Sequence, residues 1–258
     1  MGCFKQAGME VSAAAMHRLG PRMRGLPPGR RVYAVGDVHG HLDRLQAVHA
    51  AILADLAARP VADAVLVHLG DLIDRGPDSA GVVAHVLAGA PGLAVVNLMG
   101  NHERMLLDAL SGGSPDDADN WLRNGGWDSL RSWGISPRVQ VRDWEALLPA
   151  SHLLFLQGLL PLWSTEGLLC VHAGVRPGVA LPDQVEDDLL WIREEFLGWP
   201  GMMPMLPDQP DTLIVHGHTP RPAPELRPNR LGIDTGAGRG GRLTCAVLER
   251  DEVRFLQA

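Results

Sequence analysis

The sequence predicts an α/β protein built on a parallel β-sheet, and two observations carry the prediction. First, a unit of short apolar run, Gly–Asx turn and helical pattern occurs three times in succession. Residues 31–35 (RVYAV) end in Gly36-Asp37, residues 64–69 (AVLVHL) in Gly70-Asp71 and residues 93–99 (LAVVNLM) in Gly100-Asn101. Strand, polar loop and helix in alternation is the pattern of a β-α-β core. Second, the three apolar runs are near-continuous rather than alternating, as expected when helices cover both faces of a sheet.

The intervening helices are read from the 3.6-residue periodicity over residues 42–58, 79–87 and 103–110. Residues 1–30 form an N-terminal extension, with a short helical pattern over 9–19 closed by Gly20-Pro21. Residues 31–258 are expected to form a single domain. Within it, residues 111–149 carry Trp121, Trp127, Trp133 and Trp144 and read as a helical insertion over the rim of a site, most of these indoles packing a small satellite core. Short β-type runs return at 168–171, 212–215, 231–233, 243–248 and 253–256, and the Pro- and Met-rich stretch 200–210 reads as a loop.

A chain of 258 residues is long enough for one sizeable core. With 23 basic against 30 acidic residues and a net charge of −7, it has no electrostatic footprint for nucleic acid or for an anionic membrane surface. Cys3, Cys170 and Cys245 show no paired spacing. Cys170 and Cys245 sit in apolar runs and read as buried reduced thiols, which suits the cytoplasm. Residues 1–23 lack the apolar region of a signal peptide, Gln6 stands where a myristoylation motif wants Ser or Thr, and no run reaches transmembrane length.

Chemistry concentrates in five clusters: GDVHG (36–40), GDLIDRG (70–76), GNHE (100–103), VHAG (171–174) and VHGHT (215–219). Each places Asp, Asn or His beside Gly at the end of a β-type run, where ligands bind in parallel sheets. Taken alone, each is more often a turn, a cap or a core histidine; together, in order, they are a site. Carboxylate, amide oxygen and imidazole form a donor set suited to Mn²⁺, Fe or Zn²⁺. Residues i and i+2 of a strand point the same way, so Asp37 and His39 can face one point. Phosphoryl transfer also needs positive charge on the equatorial oxygens and a proton for the leaving oxygen, for which Arg75 and His102 are the right residue types.

In order and wording, GDVHG, GDLIDRG, GNHE, HAG and GHT resemble the phosphoprotein phosphatase branch of the calcineurin-like metallophosphoesterases, closest to compact bacterial and phage-type serine/threonine phosphatases. The resemblance runs from Arg31 to the C-terminus and implies a central β-sandwich flanked by helices. It implies two divalent metal ions, Mn²⁺ foremost, with Asp37 and His39 on the first, Asp71 bridging, and Asn101, His172 and His218 on the second. His102 would be the general acid, oriented by Asp74. Arg75 would bind phosphate with Asn101, and Arg193 would be a second phosphate arginine. The implied reaction is in-line attack of a two-metal-bound hydroxide on a phosphomonoester, most directly phosphoserine or phosphothreonine of a protein. The alternative substrate is a dinucleoside polyphosphate, as for a bis(5'-nucleosyl)-tetraphosphatase; the remote alternative is a catalytically silent metal-binding protein. Pro220 stands where many relatives in the wider superfamily carry a further metal histidine, and His216 is read as a buried strand-end residue.

Overall fold

The computed structural model describes residues 12–13, 16–20, 23–112, 114–200 and 205–258. Twelve strands among them form two sheets. In chain order these are β1 (Ser12–Ala13), β2 (His17–Arg18), β3 (Arg30–Val35), β4 (Asp63–His68), β5 (Ala94–Asn97), β6 (Leu162–Thr165), β7 (Leu168–Val171), β8 (Leu213–His216), β9 (Glu225–Leu226), β10 (Arg230–Gly232), β11 (Thr244–Glu249) and β12 (Glu252–Gln257). The first sheet runs β1-β12-β11-β3-β4-β5, with β2 also on β12. The second runs β6-β7-β8-β10-β9. As the three repeated units require, β3, β4 and β5 pair in parallel, and β7, β8 and β10 make a second parallel set.

The helices around the first sheet are α1 (Leu42–Ala58), α2 (Ser79–Leu87) and α3 (Asn101–Leu110). The insertion adds α4 (Pro115–Trp121), α5 (Trp127–Ser132) and α6 (Trp144–Leu147), followed by α7 (Ala150–Gln157). Two helices, α8 (Glu186–Trp191) and α9 (Glu194–Leu197), lie against the second sheet. Alternation along each strand sorts the core into layers. Tyr33, Val35 and Leu66 face Leu45, Val48 and Ile52 of α1, with Val82 and Val86 of α2 and Leu106 of α3. The residues between them, Val32, Ala34, Val65 and Val67, face Cys170, Leu213, Val215 and Leu231 of the second sheet. Leu169, Val171 and Ile214 face outward onto Leu189 and Phe196.

The architecture is therefore helices, sheet, sheet, helices. Helices cover one face of the first sheet and the second sheet covers the other, which is the β-sandwich flanked by helices that the resemblance implies and which corrects the reading of helices on both faces drawn from the apolar runs. An apolar strand registers burial on both sides but not what does the burying. The tryptophans are likewise not in a satellite core: Trp121 and Trp144 are buried in the main helix-side cluster, their rings 5.6 Å apart. The helical reading of 9–19 fails for its described residues, Ser12–Ala13 and His17–Arg18, which pair with β12; residues 9–11 and 14–15 lie outside the described ones. An open strand edge offers unpaired backbone groups, and here the preceding chain takes them. Of the loop 200–210, residues 201–204 also lie outside the described ones.

Three histidines distant in sequence meet in the helix-side layer. His68 Nδ1 donates to Asn97 Oδ1 at 2.7 Å, so its Nε2 is an acceptor in the neutral ring. It lies 2.9 Å from His49 Nε2, and His49 Nδ1 lies 3.1 Å from His85 Nε2. Each neutral ring donates to the next, giving one directed chain from α2 through α1 to β4. Burial and the neighbouring imidazoles pull His49 down from 6.5 to about 3, and burial pulls His68 down to about 4. Below pH 6.5 the unfolded chain binds protons that the folded chain refuses until pH 4 or lower, so stability is full above that range and falls as pH drops through it. Urea unfolding is expected to give a free energy that declines from about pH 6.5 toward 4, with a shallower decline in His49→Leu. An equal slope in the variant would show that the loss comes from elsewhere.

Candidate metal centre

Every cluster singled out in the sequence lies just beyond the carboxyl end of a strand, and the two parallel sets bring those ends together. Asp37 and His39 follow β3, Asp71, Asp74 and Arg75 follow β4, and Asn101 and His102 open α3 after β5. His172 follows β7 and His218 follows β8. Backbone hydrogen bonds tie the loops to one another: Val38 and His39 N–H both donate to Asp71 O at 3.0 and 2.8 Å, and Gly217 N–H donates to His172 O at 2.8 Å.

The turns are backbone-strained. His39, Asp71, Asp74, Arg75 and His218 all have positive φ, between 47° and 73°. Such conformations cost non-glycine residues on the order of 1–3 kcal/mol each and persist where the surroundings over-determine them. Gly70 shows why its position excludes a side chain: φ is 93°, and a Cβ there would lie 2.5 Å from Gly100 N and 2.7 Å from Gly100 Cα. That close approach places Asp71 beside the start of α3. Glu103, buried in the first turn of α3, then accepts from Gly100, Asp71, Leu72 and Ile73 N–H at 2.7–3.1 Å. It both caps the helix and clamps the Asp71 loop.

Two groups of ligand atoms converge: His39, Asp71 and His102, and Asp71, His172 and His218, each within 4.8 Å. Asp71 is common to both. His172 Nδ1 donates to Leu69 O at 2.9 Å, so Nε2 carries the lone pair. That Nε2 lies 2.9 Å from Asn101 Oδ1, 3.2 Å from His218 Nδ1 and 3.4 Å from Asp71 Oδ1, and His218 Nδ1 lies 2.8 Å from Asn101 Oδ1. Two of those four atoms are fixed acceptors and one is an anion, so a single imidazole proton cannot satisfy the set; a cation can. His218 Nε2 is buried with no hydrogen-bond partner. His39 Nδ1 donates to Ile73 O at 3.0 Å, which likewise leaves Nε2 as the acceptor. The donors fit divalent metals, and the backbone carbonyls that orient His39 and His172 are the outer support such ligands need.

The charges agree. Asp71 is opposed by burial, but His172, His102, His39 and His218 around it hold it well below the usual carboxylate range. Asp37 is pushed well above that range by burial, by Asp234 and by Asp71. Burial, with His172 and Arg193 nearby, pulls His218 down to about 2. A buried set of acids that cannot all ionise, lined with imidazole nitrogens, is an electrostatic well for cations.

On the near side of this well, His102 Nδ1 donates to Asp74 Oδ2 at 2.7 Å. The Arg75 guanidinium spans His39 Nε2 and His102 Nε2 at 2.7 and 2.8 Å. Burial lowers His102, but Asp71 and the bond to Asp74 outweigh it and the imidazole is raised. Asp37 completes neither group of three among the described residues; its oxygens accept from His218 N–H at 3.2 and 3.1 Å. Exposed Arg193 stands at the mouth, its NH1 3.4 Å from Thr219 Oγ1. Trp191, from the same turn, sets its ring edge-on to His218 at 6.0 Å. His216 is buried against Phe196. One acid went unread: Asp234, after β10, is buried and raises Asp37. Its signal was available, since the 231–233 run also ends in an Asx followed closely by Gly.

The match to the family model for calcineurin-like phosphoesterases extends over residues 30–254, and the chain belongs to that family, as a metallophosphoesterase hydrolase of the phosphoprotein-phosphatase type. It is 32% identical over 234 residues to serine/threonine-protein phosphatase 1 of Salmonella typhimurium, covering 85% of this chain and 93% of that protein. It is 26% identical over 269 residues to the symmetrical bis(5'-nucleosyl)-tetraphosphatase of Ralstonia nicotianae, covering 86% and 89%. The crystal structure of a metallophosphoesterase from Sphaerobacter thermophilus shares the fold, with a TM-score of 0.53 at 22% identity over 88% of each chain. No helix among the described residues is long and apolar enough to cross a membrane.

Because Gly70 combines positive φ with backbone contact, Gly70→Ala is expected to cost at least about 2–3 kcal/mol of unfolding free energy in urea. Unchanged stability would mean that the β4 turn tolerates displacement from Gly100.

Proposed function

We propose that this metallophosphoesterase acts on phosphoserine and phosphothreonine of proteins, using two divalent cations. Asp37, His39 and Asp71 would hold one, and Asp71, Asn101, His172 and His218 the other. The observation that carries the reading is the sharing of Asp71 between two groups of ligand atoms, one with His39 and His102 and the other with His172 and His218; the bonds of His102 to Asp74 and Arg75 support its reading as the acid and not as a ligand. Bound there, the cations neutralise phosphoryl charge and lower the pKa of water. Mn²⁺ suits the mixed oxygen and imidazole donors.

The chain's own residues supply the rest. The Arg75 fork would hold two phosphate oxygens, with Arg193, near His218, as a second phosphate arginine and Asn101 beside them. His102 turns Nε2 toward the leaving oxygen while Asp74 fixes its tautomer through Nδ1. A serine or threonine alkoxide is a poor leaving group, so delivery of that proton matters most for these substrates. No cysteine among the described residues takes part: Cys170 and Cys245 are buried and pushed up by burial. Their reduced state also supports a cytoplasmic setting.

The phosphoprotein reading is supported by the 32% identity to a serine/threonine-protein phosphatase over 93% of that protein's length. A second reading, hydrolysis of dinucleoside polyphosphates, is favoured by one feature: Trp191, 38% exposed beside His218, offers a flat surface on which a nucleobase can stack. Mn²⁺-dependent turnover of a phosphoserine/phosphothreonine peptide and of diadenosine tetraphosphate, measured side by side, separates them. Faster release from the peptide is expected, and a strong preference for the dinucleotide would overturn the proposal in favour of the second reading. For the metals, Asp71→Asn is expected to lower occupancy of both sites, read by elemental analysis of the purified protein. Two full equivalents of metal in that variant would remove Asp71 from its shared role.

A further inference from the structure

The helical insertion reaches the catalytic edge of the site through Asp74. That carboxylate is fully buried and receives three donors. One is His102 Nδ1, at 2.7 Å from Oδ2. The other two come from the insertion: Trp121 Nε1 donates to Oδ2 at 2.9 Å, and Ser129 Oγ donates to Oδ1 at 2.6 Å. The Asp74 N–H is shared between Ser129 Oγ at 2.9 Å and Ser79 Oγ at 3.0 Å, the two hydroxyls being 2.8 Å apart. One residue on, Arg75 N–H donates to Gly125 O at 3.3 Å, from the turn between the two helices that carry Trp121 and Ser129.

These contacts do two things. They fix the rotamer of Asp74 in a stretch of backbone whose positive φ, 73° at Asp74 and 67° at Arg75, would otherwise relax. Together with His102 they also fill three of the carboxylate's roughly four acceptor sites, so that the Nδ1 proton of His102 is held on Oδ2 and Nε2 is turned toward the Arg75 guanidinium at 2.8 Å. A helix pair serving as packing alone would need neither a buried indole N–H nor a buried hydroxyl aimed at one carboxylate. Placement is rigid as well: Trp121 lies flat on Gly126, where a Cβ would come 2.5 Å from its ring, and against Trp144.

We propose that Trp121 and Ser129 are positioning residues for the proton-delivering pair His102–Asp74, so that the insertion is part of the catalytic apparatus. The proposal rests on the reading of His102 as the acid.

The test is a double-mutant cycle on the metal-loaded enzyme. Wild type, Trp121→Phe, His102→Asn and the double variant are compared on p-nitrophenyl phosphate, a good leaving group, and phenyl phosphate, a poor one. Phenylalanine keeps the ring packing and removes the N–H. Trp121→Phe is expected to lower kcat on phenyl phosphate about tenfold, with a far smaller loss on p-nitrophenyl phosphate and little change in KM or metal content. In the His102→Asn background the substitution is expected to cost nothing further, because residues that act as one unit are not additive. Ser129→Ala, run through the same cycle, gives an independent reading should Trp121→Phe fold poorly. Equal losses on both esters, or the same loss with and without His102, would overturn the proposal and leave the insertion as packing. If His102→Asn itself fell equally on both esters, the acid role would be overturned and this proposal with it; that pattern is distinct from a discriminating His102→Asn alongside a non-discriminating Trp121→Phe.

Discussion

The structure is organised around one buried carboxylate. Asp71 follows the middle of the three parallel strands of the first sheet, its backbone carbonyl binds the β3 loop, and its side chain is common to both groups of candidate ligands. Burial opposes its ionisation, and the histidines around it and the His102 backbone N–H at 3.1 Å hold it well below the usual carboxylate range. Its position depends on the contact between Gly70 and Gly100 and on the Glu103 clamp, which gathers four backbone N–H groups from two loops. Move that carboxylate and both halves of the centre lose their common ligand.

Such a site works against the stability of the fold. Three buried acids, Asp37, Asp71 and Asp234, lie close enough to oppose one another's ionisation, and five of its residues hold strained backbone angles. The rest of the molecule offsets this with an apolar cluster between the two sheets and another under the helices. Concentrating strain and unbalanced charge in one place is what makes the place a cation site: the binding free energy of the metals is also stabilisation of the folded state.

Function is distributed across layers rather than held in one loop. The first sheet supplies Asp37, His39, Asp71, Asp74 and Arg75, the second supplies His172 and His218, and the outermost helices reach the rim through Arg193 and Trp191. On the opposite side the insertion meets Asp74 and Arg75 directly. The two walls differ in kind. One is buried and hydrogen-bonded to Asp74, the partner of His102; the other is exposed and aromatic, the sort of surface on which the proposed preference for phosphopeptide or dinucleotide can diverge without altering the candidate ligands.

The amino-acid sequence alone determined the repeated strand–turn–helix units, the boundaries of α1 and α2, and the residues that gather at the strand ends. Local periodicity and the conformational demands of Gly–Asx turns are written in neighbouring positions, and the five clusters are short and ordered. Tertiary structure decided what covers each face of the first sheet, because apolar strands look alike under a helix or under another sheet. It turned residues 12–13 and 17–18 into strands on the β12 edge, where pairing with a partner far along the chain outweighs local helical pattern. It brought His49, His68 and His85 into one chain, and placed Asp234 beside Asp37. It also put the Trp121 and Ser129 donors on Asp74, across separations of 47 and 55 residues. Hydrogen bonds over such distances leave no periodic trace in sequence, because their partners become neighbours through the packing of layers and not through the spacing of residues.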